Sequence, residues 1–450
     1  MTDIFPFIGT RYNSRLIEDM KTVISPSYEF LSPAERKVVC QRHPYNILNL
    51  IPSCSHEEDE EYNDSYLRAA SAIQAWRRDG ILVNDNHRSF YFYEQVYAHP
   101  IQGCKSRKGL YALVNLNREN LPKLFVEGNS PYSNKSHHMK LLRATKCNFS
   151  PIPLFFEDPK KEFRETSGEI STSKPWEEFQ DYNGDVHRLW VLNKKGLISS
   201  VIKTFQDKEC FMVEGHERYE VALKFRDEQR DAPGWPDSSN PYDHTLVFLS
   251  SFKEGSVSTR PVHRVLSSEL GSGVDLEEVL DDLSENFQVR PIKTNIKKTQ
   301  TATEKILKTI AEKGKKYPAI GMVLPDGRAF VLILKSKTKI PDLYDEDTQI
   351  SDPIKQLQVS ILHSHIIRQV WIGNPEVELE EEDILYLEDP VETLRWVADR
   401  KASAAFFLNP CSGKQLNEVL SGGEMIPPFT LRLHPPLMTG PVFRDMSIRH

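Results

Sequence analysis

The sequence lacks paired cysteines and long hydrophobic runs. Its six cysteines include no CxxC pair, a pattern more typical of reduced cytosolic thiols than of a disulfide framework or a zinc ribbon. No stretch approaches the roughly 20 apolar residues that a membrane-spanning helix needs. The start of the chain also lacks the basic and apolar segments of a signal peptide. We therefore expect a soluble, unexported, cytoplasmic protein without structural zinc.

An excess of basic charge is also missing. Lys and Arg number 57 against 64 Asp and Glu, for a formal charge of -7. Such a chain has no overall positive field to hold a polyanion, so no nucleic-acid partner is expected. The sequence contains no Gly-rich P-loop and no HExxH, GxSxG or kinase HRD signature. These absences remove the classes of enzyme that such motifs identify.

Length and periodicity indicate a mixed α/β protein of more than one domain. The 450 residues suggest about two or three domains. Aromatic and β-branched segments at residues 89–97 and 110–116 predict strands of one sheet. A Lys- and Thr-rich segment, residues 293–316, marks a change of composition near residue 290. We therefore predict one region over residues 1–290 and a C-terminal α/β lobe over residues 291–450.

One local pattern places several chemical groups at the start of a helix. An apolar strand, residues 210–213, runs into Glu214 and Gly215 and then into a helical segment. Backbone N–H groups at a helix N-terminus bind anions, and a glycine allows a close approach. Arg218 could bind a phosphate in bidentate fashion, His216 could donate, and Glu214 or Glu217 could act as a base or metal ligand. Alternatively, Glu217 complements the helix dipole and its neighbours only pack.

Three further patterns are candidates for binding. Arg11 and Asn13 follow Gly9 at the end of a predicted strand, although an ordinary turn with a surface arginine would look the same. A His-Arg pair occurs twice beside apolar strand residues, as His187 with Arg188 and as His263 with Arg264. Histidines in strands are also common as core or interface residues.

Two histidines, His363 and His365, would share one face of an extended segment. Helical packing of the neighbouring isoleucines fits the same residues. No metal is assigned from this pattern.

The order and spacing of seven motifs resemble domain-of-unknown-function family 1015, a bacterial and archaeal family. The motifs lie at residues 7–13, 25–28, 43–47, 93–95, 187–190, 214–219 and 261–264, with closing motifs at 404–410 and 426–428. The family's strongest motif, Asp-Gly-His-His-Arg-Tyr, is similar to the turn that ParB- and sulfiredoxin-type proteins, and the free-serine kinases of that superfold, place against nucleotide phosphates.

This resemblance implies a ParB/sulfiredoxin-like N-terminal region and nucleotide phosphate chemistry. It implies ATP or ADP with Mg²⁺ as cofactor, and free serine or phosphoserine as a substrate. Glu214, His216 and Glu217 become candidate catalytic residues. The candidate phosphate-binding residues are Gly215, Arg218, Arg11, Asn13, His187, Arg188, His263 and Arg264.

The sequence departs from the family pattern at several positions. Glu214 replaces Asp, and Glu217 replaces the second His, so that an anion stands where the family has a potential cation. A family loop with a His-Glu-x-Thr motif and Asp-Arg is replaced by residues 127–138, a segment predicted as a loop. Phe429 and Pro436 stand where the family has lysines. Such losses would remove charge-assisted contacts to a polyphosphate.

The leading hypothesis is a nucleotide-dependent phosphotransferase acting on a small hydroxy substrate such as free serine. A non-catalytic nucleotide-sensing or scaffold protein is the second hypothesis. A phosphatase acting on phosphoserine-like compounds is the third. The oligomeric state is not predicted.

Overall fold

The structure is a computed structural model, and it confirms the mixed α/β class. It describes residues 3–52, 64–99, 103–116, 135–231, 240–252, 258–344, 350–374, 376–377, 379, 382–422, 424, 427 and 430–448. The acidic run at residues 57–61, most of the loop predicted over residues 127–138 and Phe429 lie outside these residues. The chain forms two compact units, residues 1–258 with 435–450 and residues 259–434.

The first unit contains strands from both ends of the chain. Its strands are β1 (Ile4–Phe5), β2 (Gly9–Tyr12), β3 (Ser25–Pro26), β4 (Leu82–Asn84), β5 (Phe90–His99), β6 (Gly103–Asn115), β7 (Cys147–Asn148), β8 (Ile152–Phe156), β9 (Glu177–Gln180), β10 (Val186–Leu192), β11 (Cys210–Met212), β12 (His244–Ser251), β21 (Met438–Thr439) and β22 (Phe443–Asp445). Its helices are α1 (Met20–Val23), α2 (Pro33–Cys40), α3 (Asp64–Arg78), α4 (Lys135–Thr145), α5 (Glu162–Ser171), α6 (Lys195–Phe205) and α7 (His216–Arg230). Short 3₁₀ helices are Tyr28–Phe30, Ile47–Leu50 and Pro241–Asp243.

A mainly antiparallel sheet forms the centre of the first unit. Its strand order is β11-β8-β12-β6-β5-β10-β9, and β1 adds to β6. Because side chains alternate along a strand, Phe90 and Phe92 of β5 face an apolar core, whereas Tyr91 and Tyr93 face a second core on the other side. At its edge β11 pairs with β8, which runs parallel to β12, and α7 begins shortly after β11, at His216.

The second unit has its own sheet and helices. Its strands are β13 (Thr259–Pro261), β14 (His263–Ser267), β15 (Phe287–Pro291), β16 (Ala319–Val323), β17 (Ala329–Leu334), β18 (Ile384–Leu387), β19 (Ala402–Phe407) and β20 (Leu431–Leu433). Its helices are α8 (Leu276–Asn286), α9 (Thr299–Lys313), α10 (Asp352–Lys355), α11 (Gln358–Ile361), α12 (Pro390–Ala398) and α13 (Gly413–Ser421), with a 3₁₀ helix Ile340–Leu343 and a π-helix Leu362–Trp371. The sheet order is β15-β17-β16-β19-β14-β18.

The composition change near residue 290 falls inside this second unit. Pro291 ends β15, which pairs with β17 from Phe287 onward. The Lys-rich segment that follows enters α9, whose Ile306 and Ile310 are buried against the sheet. The change in composition therefore marks an exposed helix face, while the units divide at residues 258–259 and 434–435.

Two smaller expectations need correction. Cys40 is disulfide-bonded, in contrast to the prediction of reduced thiols, whereas Cys104, Cys147, Cys210 and Cys411 are free.

The segment with His363 and His365 is a π-helix, so helical packing and not a strand face explains that pattern. His363 accepts a hydrogen bond from Arg264 Nε at 3.0 Å, and His365 bonds the side chain of Gln369 at 2.5 Å.

Candidate functional site

The predicted turn before α7 has a left-handed backbone at its glycine. Gly215 is the N-cap of α7 with φ of 90° and makes no side-chain cap bond. A Cβ at this position would lie 3.0 Å from Arg218 Nη2 and 3.3 Å from Ile152 Cγ2. The left-handed backbone favours glycine, and a Cβ at this position would press against the Arg218 guanidinium. We call residues 214–218 the Gly215 turn.

Arg218 folds back over this turn and meets a carboxylate from a distant part of the sequence. Its Nη1 lies 3.3 Å from Glu29 Oε2 in the 3₁₀ helix Tyr28–Phe30. The Arg218 side chain is 15% exposed, and its Nε is buried without a hydrogen-bond partner among the described residues. The guanidinium therefore keeps donor capacity for a further anionic partner.

A histidine contacts the other oxygen of Glu29 and is itself bonded by a tyrosine. His138 Nε2 lies 3.0 Å from Glu29 Oε1, and Tyr28 Oη lies 3.2 Å from His138 Nδ1. The neighbouring His137 bonds Tyr66 Oη at 2.7 Å through Nδ1. Burial, assisted by the neighbouring His138 and Arg36, lowers the pKa of His137 to about 4. His137 is therefore neutral at pH 7, when its ring can bond Tyr66.

The two histidines are helical residues and not part of a loop. Both lie in α4, which begins at Lys135. The predicted loop therefore ends before them, and α4 places His138 at a pocket.

Arg218 and His138 line a small open pocket with an enclosed volume of about 60 Å³. Its walls are mostly apolar side chains of α4, α7 and the segment around β7 and β8. The lining residues are Tyr28, Ile51, His138, Leu141, Leu142, Cys147, Asn148, Phe149, Ser150, Ile152, Arg218, Val221 and Thr245. An apolar pocket with a few polar groups at one end is the usual form of a small-molecule site.

The other predicted residues of the turn lie around Arg218. Burial and then the charge of Glu29 raise the pKa of Tyr28, and the charge of Glu217 adds a smaller effect in the same direction. Burial lowers the pKa of His216, opposed by Glu220, which favours the neutral ring. The charge of Glu214 acts instead on Arg107 of β6.

Arg11 and Asn13 have structural partners. Arg11 Nε bonds both carboxylate oxygens of Asp85, at 3.1 and 3.0 Å, and its guanidinium lies 3.8 Å from the centre of the Trp176 ring. Asn13 Nδ2 donates to the carbonyl of Gly80 at 3.0 Å. The structure therefore gives both residues bonds that join β2 to its surroundings, and their role in binding stays a prediction.

His187 and Arg188 belong to the central sheet. His187 is fully buried in β10, with Nδ1 2.6 Å from Tyr93 Oη. Arg188 forms ion pairs with Glu178 at 2.6 Å and Glu94 at 3.1 Å.

His263 and Arg264 belong to the second unit and bond within it. His263 Nδ1 accepts from the Leu408 amide at 3.2 Å, and Arg264 donates to the carbonyl of Val262 at 2.6 Å. Burial lowers the pKa of His263 to about 3 and that of Arg264 to about 10. A nucleotide role for either pair stays a prediction.

Glu29 is the residue that the sequence reading missed. The motif at residues 25–28 ends one position before it. The sequence feature that could have indicated Glu29 is its position directly after Tyr28, the last residue of a motif that resembles the family. Its pairing with Arg218 joins residues 189 positions apart, and one sequence does not reveal such a contact.

Metal clusters and membrane-spanning helices are both absent from the described residues. No group of three or more His, Cys, Asp or Glu side chains there could hold a metal ion. No helix within those residues is long and apolar enough to cross a membrane.

A family model described as protein of unknown function (DUF1015) matches residues 4–360. The chain belongs to this family. The DUF1015 match includes Glu29, α4 and the Gly215 turn, and it ends inside the second unit, before the π-helix. No curated protein matches the sequence.

Solved structures with some likeness to this DUF1015 chain include free serine kinases. A free serine kinase in complex with AMP is 12% identical, with 74% of this chain and 90% of that chain covered and a TM-score of 0.32. A variant of a free serine kinase in complex with ADP is 13% identical, with 74% and 91% covered and a TM-score of 0.31. A conserved hypothetical protein from Pyrococcus furiosus is 11% identical, with 75% and 96% covered and a TM-score of 0.33. Similarity at this level is too low to assign a function.

Proposed function

We propose that this protein is a nucleotide-dependent phosphotransferase that acts on a small hydroxy substrate such as free serine. The observation that carries the proposal is the pairing of Arg218, folded over Gly215, with Glu29 at the edge of an open pocket. A cation at a helix N-terminus and a carboxylate within 3.3 Å of it supply the two groups that phosphoryl transfer to a hydroxyl uses.

The phosphate-binding group is the Gly215 turn. The first amides of α7 have no intrahelical acceptor, and Arg218 adds a guanidinium fork that matches phosphate oxygens. An incoming phosphate competes with Glu29 for Arg218, which frees the carboxylate. The phosphate donor proposed is ATP or ADP.

The general base proposed is Glu29, in place of Glu214 or Glu217. Its carboxylate accepts the proton of the substrate hydroxyl as that oxygen attacks the terminal phosphorus of the nucleotide, and the shortened nucleotide leaves. His138, 3.0 Å from Glu29, orients the carboxylate. His216 remains a candidate for orienting the transferred group.

Magnesium is part of this proposal. Mg²⁺ in phosphoryl-transfer sites is held by one or two carboxylates together with phosphate oxygens, so three protein ligands are not required. Glu217, in the first turn of α7, is the carboxylate proposed for this role. The ion would neutralise charge on the phosphates.

A turnover assay with Glu29→Gln tests the proposal. Glutamine keeps an oxygen for His138 but cannot take a proton, so we expect kcat to fall by about 10²- to 10⁴-fold with little change in nucleotide affinity. Phosphoserine formation from serine with ATP or ADP and Mg²⁺ is measured. Glu228→Gln is the matched control, because Glu228 also makes an ion pair, with Arg143 on the surface of the same unit.

One observation favours a second function. Arg11 and Arg188 are both engaged in ion pairs, so that fewer cations are available for a polyphosphate. A nucleotide sensor without catalysis would bind nucleotide in the wild type and show no turnover. Turnover equal in the wild type and in Glu29→Gln would contradict the role of Glu29.

A further inference from the structure

One surface of the second unit, around α9, is strongly basic. Residues 293–316 contain eight lysines and two glutamates, in a chain whose formal charge is -7. All eight lysines are exposed, and none forms an ion pair with a carboxylate in the described part of the chain. They are Lys293, Lys297, Lys298, Lys305, Lys308, Lys313, Lys315 and Lys316. We call them the lysine patch.

The helix α8 of the same unit carries the opposite charge. Four of its carboxylates recur at intervals of three or four residues, which places them on one face of the helix. They are Glu278, Asp281, Asp282 and Glu285. All four are exposed, and none has an ion pair with a cation among the residues that the structure describes. We call these four carboxylates the acidic stripe.

The sheet of the second unit separates the two charged surfaces. Side chains alternate along β16, so Ile320 packs in one core with Val279 of α8, whereas Ala319 packs in the other core with Ile306 of α9. The lysine patch and the acidic stripe of one molecule therefore lie on opposite faces of one sheet. Because the Debye length is only about 8 Å at physiological ionic strength, salt screens the attraction between them.

Charge complementarity makes a second copy of this chain the partner that fits the lysine patch. Lysines without ion pairs attract carboxylates that also lack them, and each copy of the chain presents such a row on α8. A nucleic acid or an anionic membrane would instead meet a chain with an overall negative charge, which repels it.

We propose that the lysine patch of one copy binds the acidic stripe of another copy. The two surfaces differ, so the contact is heterologous, and a pair of molecules still exposes one lysine patch and one acidic stripe. Further copies therefore add until a ring closes or a filament grows. Ion pairs between exposed side chains contribute little singly and are screened by salt, so the association is weak and depends on ionic strength. The phosphotransferase proposal has no part in this inference.

Sedimentation velocity of the full chain measures the association. At about 50 mM NaCl we expect the mean sedimentation coefficient to rise with protein concentration, and at about 500 mM NaCl we expect monomer alone. A monomer at the lower salt concentration, at every protein concentration up to about 100 μM, would overturn the proposal.

Charge reversal on each surface tests which residues make the contact. The patch variant combines Lys305→Glu with Lys308→Glu, and the stripe variant combines Asp281→Lys with Glu285→Lys. All four side chains are exposed, so we expect both variants to fold, as circular dichroism checks. Each variant alone should associate at least tenfold more weakly than the wild type. An equimolar mixture should associate again, because each reversed surface then meets one of opposite charge.

A matched control separates the patch from net charge. Lys401→Glu with Lys414→Glu makes the same change of charge on exposed lysines of the same unit, outside the lysine patch. This variant should associate like the wild type. An equal loss in the control and in the patch variant, or a mixture of patch and stripe variants that stays monomeric, would overturn the proposal.

Other anionic partners form the last arm of the test. Phosphatidylserine vesicles and a DNA oligonucleotide are offered to the wild type and to the patch variant at the lower salt concentration. We expect the wild type to bind neither probe more tightly than it binds itself. Binding of a probe that needs the lysine patch, by a wild type that stays monomeric, would overturn the proposal and assign the patch to that partner.

Discussion

Single side chains in this protein are defined by partners far away in the sequence. Arg11, Arg188 and Arg218 look alike in their motifs, as arginines beside strands or turns. Asp85 and Trp176 contact Arg11, and Glu178 and Glu94 form ion pairs with Arg188. Only Arg218, of these three, lines the described pocket. The sequence could predict Arg218 because the glycine and helix start are local, but it could not predict which cations are neutralised elsewhere.

His137 makes the stability depend on pH. Its folded pKa of about 4 lies below the ordinary 6.5, so the unfolded chain binds more protons between these values. The contribution of His137 to the free energy of unfolding is complete above pH 6.5 and is lost as the pH falls toward 4. At pH 4.5 we expect a loss of about 2–3 kcal/mol from this residue.

Urea unfolding of the wild type and His137→Gln at pH 7.0 and 4.5 measures this effect. The glutamine variant should lose less free energy of unfolding over this range, while other buried histidines such as His263 contribute equally to both. An identical pH dependence of the two proteins would show that His137 does not titrate as described.

Helix starts are the elements that local sequence predicts best. A capping box forms at Ser32, with its side chain bonded to the amide of Glu35, and Pro33 begins α2. The Gly215 turn also begins a helix where the strand-Gly pattern places one. The π-helix that contains His363 was not predictable as such, because its packing against β14 and β18 depends on tertiary contacts.

Replacing a glycine with alanine should have opposite effects on stability in the Gly215 turn and inside a helix. Gly215→Ala places a Cβ at φ of 90° and 3.0 Å from Arg218, so we expect a loss of roughly 1–2 kcal/mol and weaker nucleotide binding. Gly168→Ala lies inside α5, with no heavy atom near the new Cβ, and should stabilise by about 1 kcal/mol. Thermal unfolding with and without ATP measures both effects. Stability of Gly215→Ala equal to that of the wild type would contradict the turn geometry.

The fold class of the whole molecule agrees with the class predicted from the sequence. The boundaries of its two units differ from those of the two predicted regions. The mixed α/β class was predictable because strand and helix patterns alternate along the chain. The domain border was not, because the first unit takes back residues 435–450 through β21 and β22. Pairing of the first and last segments of a chain leaves no mark in local composition.

The central claim is that a nucleotide phosphate binds at the Gly215 turn through Arg218. Titration calorimetry of ATP, with Mg²⁺, into the wild type and Arg218→Ala tests it most directly, with the fold of both checked by circular dichroism. We predict saturable binding to the wild type and an affinity at least tenfold lower for the variant, about 1.4 kcal/mol or more. Equal affinities, or no binding to the wild type, would contradict the claim.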